Sequence, residues 1–124
     1  MGDRIYIKGI GVCCPHDTVL EAFQLKTSPV DNSLIPAAIR RRTSLTTRMA
    51  ITAATLACAN AHTDSQHLAS VFASMGGEIQ VTDALCKLLP DSEALLSQTQ
   101  FHNSVHNTTA GYWSILTECQ ASTT

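Results

Sequence analysis

Residues 101–119 read FHNSVHNTTAGYWSILTEC and carry the strongest structural signal in this sequence. Their first part, residues 101–108, is predicted to form a helix. The aromatic and β-branched residues of 111–117 then predict a β-strand, the third of the chain. Cys119 follows that strand and is itself followed by small polar residues that could begin another helix. The segment therefore predicts a cysteine at a strand-to-helix elbow.

Two further strands are predicted upstream of this segment. Residues 4–12 alternate β-branched and aromatic side chains and then run into Gly9 and Gly11, which indicates a first strand entering a tight turn. Residues 68–75 form a short apolar run that stops at Gly76-Gly77, which indicates a second, buried strand.

Two further helices lie between the strands in sequence. Thr43 or Ser44 is predicted to cap a helix over residues 45–61, rich in Ala, Thr, Met and Leu. Apolar residues at helical spacing over 81–89 predict another helix, which stops at Pro90. Strands that alternate with helices predict the α/β class, with a mainly parallel sheet and right-handed crossovers.

Composition indicates a single globular domain over residues 1–124. The chain is 44% hydrophobic and 15% charged, which is too apolar for a disordered segment. Its formal net charge of -2 gives no basic excess for phosphates, so no nucleic-acid partner is predicted. The sequence has no apolar run long enough for a membrane span and no signal-peptide pattern at its start, so we expect a cytoplasmic protein without a membrane span.

The cysteines and glycines do not predict a cofactor. The chain has 5 cysteines, an odd number without framework spacing, so we expect reduced thiols. Zinc could be considered at three places where cysteines or histidines lie close together in sequence: the pairs His102/His106 and Cys58/His62, and the cluster Cys13-Cys14-His16. A zinc site needs four ligands, and none of these places offers a recognisable set, so no metal is predicted. Gly9-Ile10-Gly11 lacks the rest of a dinucleotide-binding fingerprint.

The only cluster of like charge is Arg40-Arg41-Arg42, which lies just before a predicted helix start, where positive charge opposes the helix dipole. A solvated turn or structural salt bridges would account for it. Docking of an acidic carrier protein, or of the phosphate of its phosphopantetheine arm, is the functional alternative.

Cys119 has two interpretations at this stage. At a strand-to-helix elbow it would lie at the positive end of a helix, which favours the thiolate and nucleophilic attack. It would equally serve as a small buried apolar residue.

Several of these segments, in the same order, resemble the N-terminal half of β-ketoacyl synthases. They are residues 5–12 with Pro15, Arg41-Arg42-Thr43-Ser44 leading into an Ala-rich helix, the strand and turn of residues 70–77, and residues 101–111. The FHNSVHN and AGYWSI segments are most similar to short synthase-like proteins of aryl polyene gene clusters, where such a protein acts as a chain length factor beside a ketosynthase.

The resemblance implies a thiolase-like half-fold and places Cys119 at the family's nucleophilic cysteine, which takes the growing acyl chain as a thioester. It also implies that the third strand forms a dimer seam, pairing antiparallel with its counterpart in a partner subunit. The residues expected at this interface are Gly111, Tyr112, Trp113, Ser114, Ile115 and Leu116.

Synthase catalysis in the family also uses two histidines and a lysine from the C-terminal half, which lies beyond the sequence given. The leading hypothesis is therefore a non-catalytic, chain-length-factor-like subunit that pairs with a ketosynthase and receives chains from an acyl carrier protein. The alternative is an acyltransferase or synthase component that uses Cys119 as acyl acceptor. A small redox or metal protein built on Cys13, Cys14 and His16 is a third class.

Overall fold

The computed structural model describes residues 2, 4–14, 28–90, 93 and 95–124. Within these residues the α-helices are α1 (Ala37–Arg40), α2 (Leu45–Asn60), α3 (Ile79–Leu88), α4 (Gln98–Asn103) and α5 (Thr108–Thr117), with a short 3-10 helix at Ser65–His67. No helix in the described residues combines the length and hydropathy needed to cross a membrane.

The predicted helix over 45–61 is confirmed as α2, and its ends follow from local chemistry. Ser44 caps the N-terminus, because its hydroxyl accepts a hydrogen bond from the Thr47 backbone N–H at 3.0 Å. At the other end His62 has a φ of 49°, the left-handed conformation that commonly follows a helix. The helix predicted over 81–89 is likewise confirmed as α3.

The third strand predicted over 111–117 is wrong, because these residues form most of α5. β-propensity mainly reflects how well a side chain packs on a half-buried surface, and a helix supplies such a surface here. Thr108, Tyr112 and Trp113 are buried on one side of α5, whereas Gly111 and Ile115 are exposed on the other. The helix predicted over 101–108 is instead divided, since α4 ends at Asn103 and α5 begins at Thr108.

The two other predicted strands are extended segments rather than strands of a sheet. Within the described residues the β-pairing consists of isolated parallel bridges, Cys13 with Ser28 and Ser70 with Thr123. The predicted parallel sheet is therefore not confirmed. A regular strand needs hydrogen-bond partners for its backbone N–H and C=O groups along its whole length. Residues 4–12 have few such partners among the described residues.

The N-terminal extended segment lies directly on α2 through its glycines. A methyl group at Gly9 would meet the Ala57 carbonyl oxygen at 2.5 Å and the Ala61 backbone nitrogen at 2.6 Å. Gly11 lies equally close to the backbone of α2 at Ala53 and Ala57. The absence of a side chain at both positions is what allows the two backbones to touch.

The core forms where α2 and α5 pack together. Its buried members are Ile35, Ile51, Tyr112 and Trp113, and partly buried side chains surround them. The Phe72 ring meets the Trp113 ring edge-on, with centroids 6.1 Å apart, which is a favourable aromatic geometry. One face of α5 is thus fixed by the core, and the other is left to solvent.

We expect opposite effects from alanine at two glycines. Gly11→Ala forces a methyl group into the α2 backbone and should lower the free energy of unfolding by about 1–3 kcal/mol. Gly111→Ala is the matched control, because a methyl group there meets no described residue within 4 Å and the change removes a helical glycine, so it should raise stability by about 0.5–1 kcal/mol. Urea unfolding monitored by circular dichroism measures both, and a stable Gly11→Ala variant would contradict the close packing.

Candidate functional site

The segment 101–119 contains the end of α4, a short turn and α5, rather than a helix followed by a strand. Ser97 caps α4, since its hydroxyl accepts a hydrogen bond from the Gln100 backbone N–H at 3.4 Å. Thr108 begins α5 and is buried, and its hydroxyl donates to the Val105 carbonyl at 2.7 Å, which closes the turn between the helices. Local hydrogen bonds therefore fix how one helix follows the other.

Asn103 connects α4 to α5 and to the segment before α2. It is buried, its amide nitrogen donates to the Arg42 carbonyl, and its amide oxygen accepts from the Tyr112 hydroxyl at 3.1 Å. The His102 ring lies edge-on to Tyr112 with centroids 6.0 Å apart. The buried Asn103 thus pairs both its amide nitrogen and its amide oxygen, which gives it a structural role at this position.

Only part of the predicted interface faces solvent. Gly111 and Ile115 lie four residues apart on the exposed side of α5, and the Ile115 side chain is 64% exposed. Tyr112 and Trp113 are buried in the core, and Ser114 and Leu116 are half-buried. Pairing of this segment as a strand with a partner is excluded, since its backbone forms an α-helix. We refer to Gly111 and Ile115 as the outer face of α5.

The structure contradicts the geometric premise for a reactive Cys119. The cysteine follows the C-terminal end of α5, whereas the predicted elbow would place it at the N-terminal end of a helix, and residues 120–124 form no helix. Glu118 turns the chain in a left-handed conformation with φ 53°, and the Cys119 backbone N–H bonds to the Ser114 carbonyl at 3.0 Å. The use of Cys119 as an acyl acceptor stays a prediction, but the strand-to-helix elbow from which it was argued is not present.

The Cys119 thiol is held inside the protein. Its residue is 7% exposed, and Sγ donates to the Leu68 carbonyl at 3.3 Å. The chain then runs parallel to the segment after Leu68: the Ser70 N–H bonds to the Ser122 carbonyl and the Thr124 N–H to the Ser70 carbonyl, each at 3.0 Å. In this arrangement Cys119 anchors the chain where it leaves α5.

A polar cluster that the sequence did not reveal joins three helix N-termini. Glu78, the residue before α3, accepts hydrogen bonds from Ser44 at 2.7 Å and from Thr47 at 2.6 Å. Thr47 is fully buried, and its hydroxyl also lies 3.0 Å from that of Thr109 in the first turn of α5. A carboxylate near positive helix ends is stabilised there. No local pattern indicates this cluster, because the partners of Glu78 are more than thirty residues distant in sequence.

The three arginines of the cluster have different environments. Arg40 donates to the Asn32 carbonyl at 2.8 Å. Arg41 and Arg42 are exposed, and the single ion pair found in the described residues is Lys87 with Asp83, so neither has a carboxylate partner there. Arg42 and His102 both line a groove of about 480 Å³ beside α5. Arg42, which has no carboxylate partner among the described residues, therefore lies at the edge of a groove that also contains Ile39 and Ile115.

The candidate metal ligands do not assemble into a site in the described residues, where no three His, Cys, Asp or Glu residues lie together as a possible metal centre. His16 lies outside the described residues. Burial raises the pKa of the Cys13 thiol, with a smaller contribution from Cys14. Burial, and secondarily Asp64, raises the pKa of Cys58. Both thiols therefore favour the protonated form, which is a poor metal ligand.

Comparison with protein families matches residues 17–124 to the N-terminal domain of β-ketoacyl synthase. The chain belongs to this family, which supports a role within the synthase family and implies a thiolase-like fold. No curated protein and no solved structure matches the chain.

We expect Glu78→Gln to lower the free energy of unfolding by about 1 kcal/mol. The amide can still accept from Ser44 and Thr47, but the bonds lose their charge assistance and the favourable interaction with the helix dipoles. Asp83→Asn is the control, since it removes an exposed ion pair and should change stability by less than about 0.5 kcal/mol. Equal effects of the two substitutions in urea unfolding would argue against the cluster as a structural junction.

Proposed function

We propose that this chain is a chain-length-factor-like, non-catalytic subunit that pairs with a ketosynthase. In this role it helps elongate polyene, polyketide or fatty acyl chains on a carrier protein, in the cytoplasm. Membership of the synthase family supports the general role. The aryl polyene assignment rests on the resemblance of the FHNSVHN and AGYWSI segments.

The observation that carries the partnership is the outer face of α5. A glycine inside a helix costs roughly 1 kcal/mol relative to alanine, and Gly111 has no neighbour among the described residues that requires it. A position without a side chain lets the backbone of a second molecule approach closely. Ile115, one turn later, leaves most of its apolar side chain in water, and a partner would bury it.

The surroundings of α5 extend this apolar surface. Phe101 on α4 is 64% exposed and Val105, in the turn between the helices, is 41% exposed. Both belong to the segment with the strongest resemblance to the family. Together with Ile115 they give this segment exposed apolar side chains that a protein partner would bury.

The arginines support a second contact, with the carrier protein. Arg41 and Arg42 project charge that no carboxylate among the described residues neutralises. We infer that Arg40-Arg41-Arg42 dock an acidic carrier protein or the phosphate of its prosthetic arm, since arginine binds both groups with bidentate geometry. This contact would deliver the acyl chain to the complex.

The burial of Cys119 favours the subunit over the acyl-acceptor alternative. A nucleophile needs access to substrate and a base near the sulfur, whereas this thiol is enclosed and donates to a backbone carbonyl. These features are typical of a cysteine that acts as a small buried side chain.

Thiol labelling distinguishes the two functions. With iodoacetamide at neutral pH, we expect the exposed Cys86 to be alkylated well before Cys119. Cys13 and Cys58 should also react slowly and accelerate as the pH rises, because their raised pKa values keep them protonated. Peptide mass spectrometry after timed quenching measures each site, with the denatured protein as the reference for full reactivity. Labelling of Cys119 ahead of Cys86 in the folded protein would favour the acyl-acceptor alternative.

Co-purification tests the partnership directly. We expect the chain to co-elute with a full-length ketosynthase encoded beside it when the two are co-expressed. Ile115→Glu should weaken this association at least tenfold, because a charge would be buried in the contact. Ile79→Glu is the matched control, because Ile79 is 65% exposed on the first turn of α3 and is not part of the outer face of α5. Equal retention of both variants, or no complex with the unmodified chain, would contradict the proposal.

A further inference from the structure

The groove of about 480 Å³ beside α5 has the size of a small-molecule site, for which roughly 300–1,000 Å³ is usual. The helices α1, α4 and α5 each contribute residues to its wall, and so does Arg42, which lies between α1 and α2. The groove is therefore formed by the fold rather than by one helix.

One part of the wall is apolar. Ala38 and Ile39 come from α1, and Ile115 comes from α5. Ile39 packs against the core, which holds it in place, whereas Ile115 is 64% exposed. A hydrocarbon chain in the groove would remove apolar surface of these residues from water, which is favourable.

Arg42 brings a positive charge to the same groove. The residue is exposed, and its guanidinium has no carboxylate partner among the described residues. Its contact with Asn103 uses the backbone carbonyl, so the side chain stays available to a ligand. None of the described residues that line the groove is Asp or Glu, so an anion there meets no like charge from the wall.

The number of charges indicates the kind of anion. A single arginine balances one negative charge, and its planar guanidinium pairs with a carboxylate through two parallel hydrogen bonds. A phosphate monoester carries more than one charge at neutral pH and would leave part of it uncompensated. Gln98 and Thr99 on α4 add polar side chains that can hydrogen-bond to a carboxylate.

We propose that this groove binds a small amphiphilic monoanion, namely a medium-chain carboxylate. Its carboxylate pairs with Arg42, and its hydrocarbon chain lies against Ile39 and Ile115. The groove shares Arg42 and Ile115 with the contacts proposed above, but the inference does not rest on them, because the ligand binds the chain alone.

Ligand-observed NMR on the chain alone tests this class of ligand. At neutral pH we expect octanoate to give a saturable saturation-transfer signal, with a dissociation constant of about 1 mM for a ligand of this size. Octanamide is the matched control ligand, because it has the same chain without the charge, and it should bind at least about tenfold more weakly. Equal affinities of octanoate and octanamide, or no saturable signal from octanoate, would overturn the proposal.

Substitutions at exposed positions locate the binding. Arg42→Gln removes the charge, leaves the backbone carbonyl that Asn103 uses, and should weaken octanoate binding at least about fivefold. Arg41→Gln is the matched control, because Arg41 is exposed but does not line the groove, and it should bind octanoate like the unmodified chain. Ile115→Ala should weaken both ligands about threefold, because it removes apolar surface that either chain would cover.

Circular dichroism checks that each variant is folded. If Arg41→Gln weakened octanoate binding as much as Arg42→Gln, the anion would be responding to general positive charge, and the assignment to the groove would be overturned.

Discussion

The Glu78 carboxylate is the contact on which the helical arrangement depends. It accepts from the N-cap of α2 and from the buried Thr47, and through Thr47 it reaches the first turn of α5. The N-terminal turn of α2 and the residue before α3 thus meet at this carboxylate, and Thr109 connects the first turn of α5 to it through Thr47. Because the hydrogen bonds are charge-assisted and partly buried, they resist competition from water more than surface ion pairs do.

This junction sets which side of α5 meets the core and which side remains free. With its first turn held at Thr109, the helix buries Tyr112 and Trp113 and presents Gly111 and Ile115 to solvent. One short helix therefore supplies both a core face and an apolar outer face. The left-handed turn at Glu118 then directs Cys119 inward, which ends the helix and encloses the thiol.

The sequence predicted α2 and α3 well because caps and apolar spacing are local signals. It failed at α5, where aromatic and β-branched residues suggested a strand although Thr108, Tyr112, Trp113 and Leu116 recur at helical spacing. The same error put Cys119 at the wrong end of a helix. The role of Glu78 was not predictable, because its partners are far away in sequence and only the folded chain brings them together.

The pairing of residues 70–72 with residues 122–124 has a consequence for the order of folding. Ser70 and Thr123, whose side chains are hydrogen-bonded, are 53 residues apart in sequence. Closing so long a loop costs chain entropy before any contact compensates for it, whereas α2 and α3 form from neighbouring residues. During synthesis the helices can therefore form early, whereas the segment after Leu68 can pair only after residues 122–124 have been synthesised. Until then its exposed backbone groups are open to pairing with other chains.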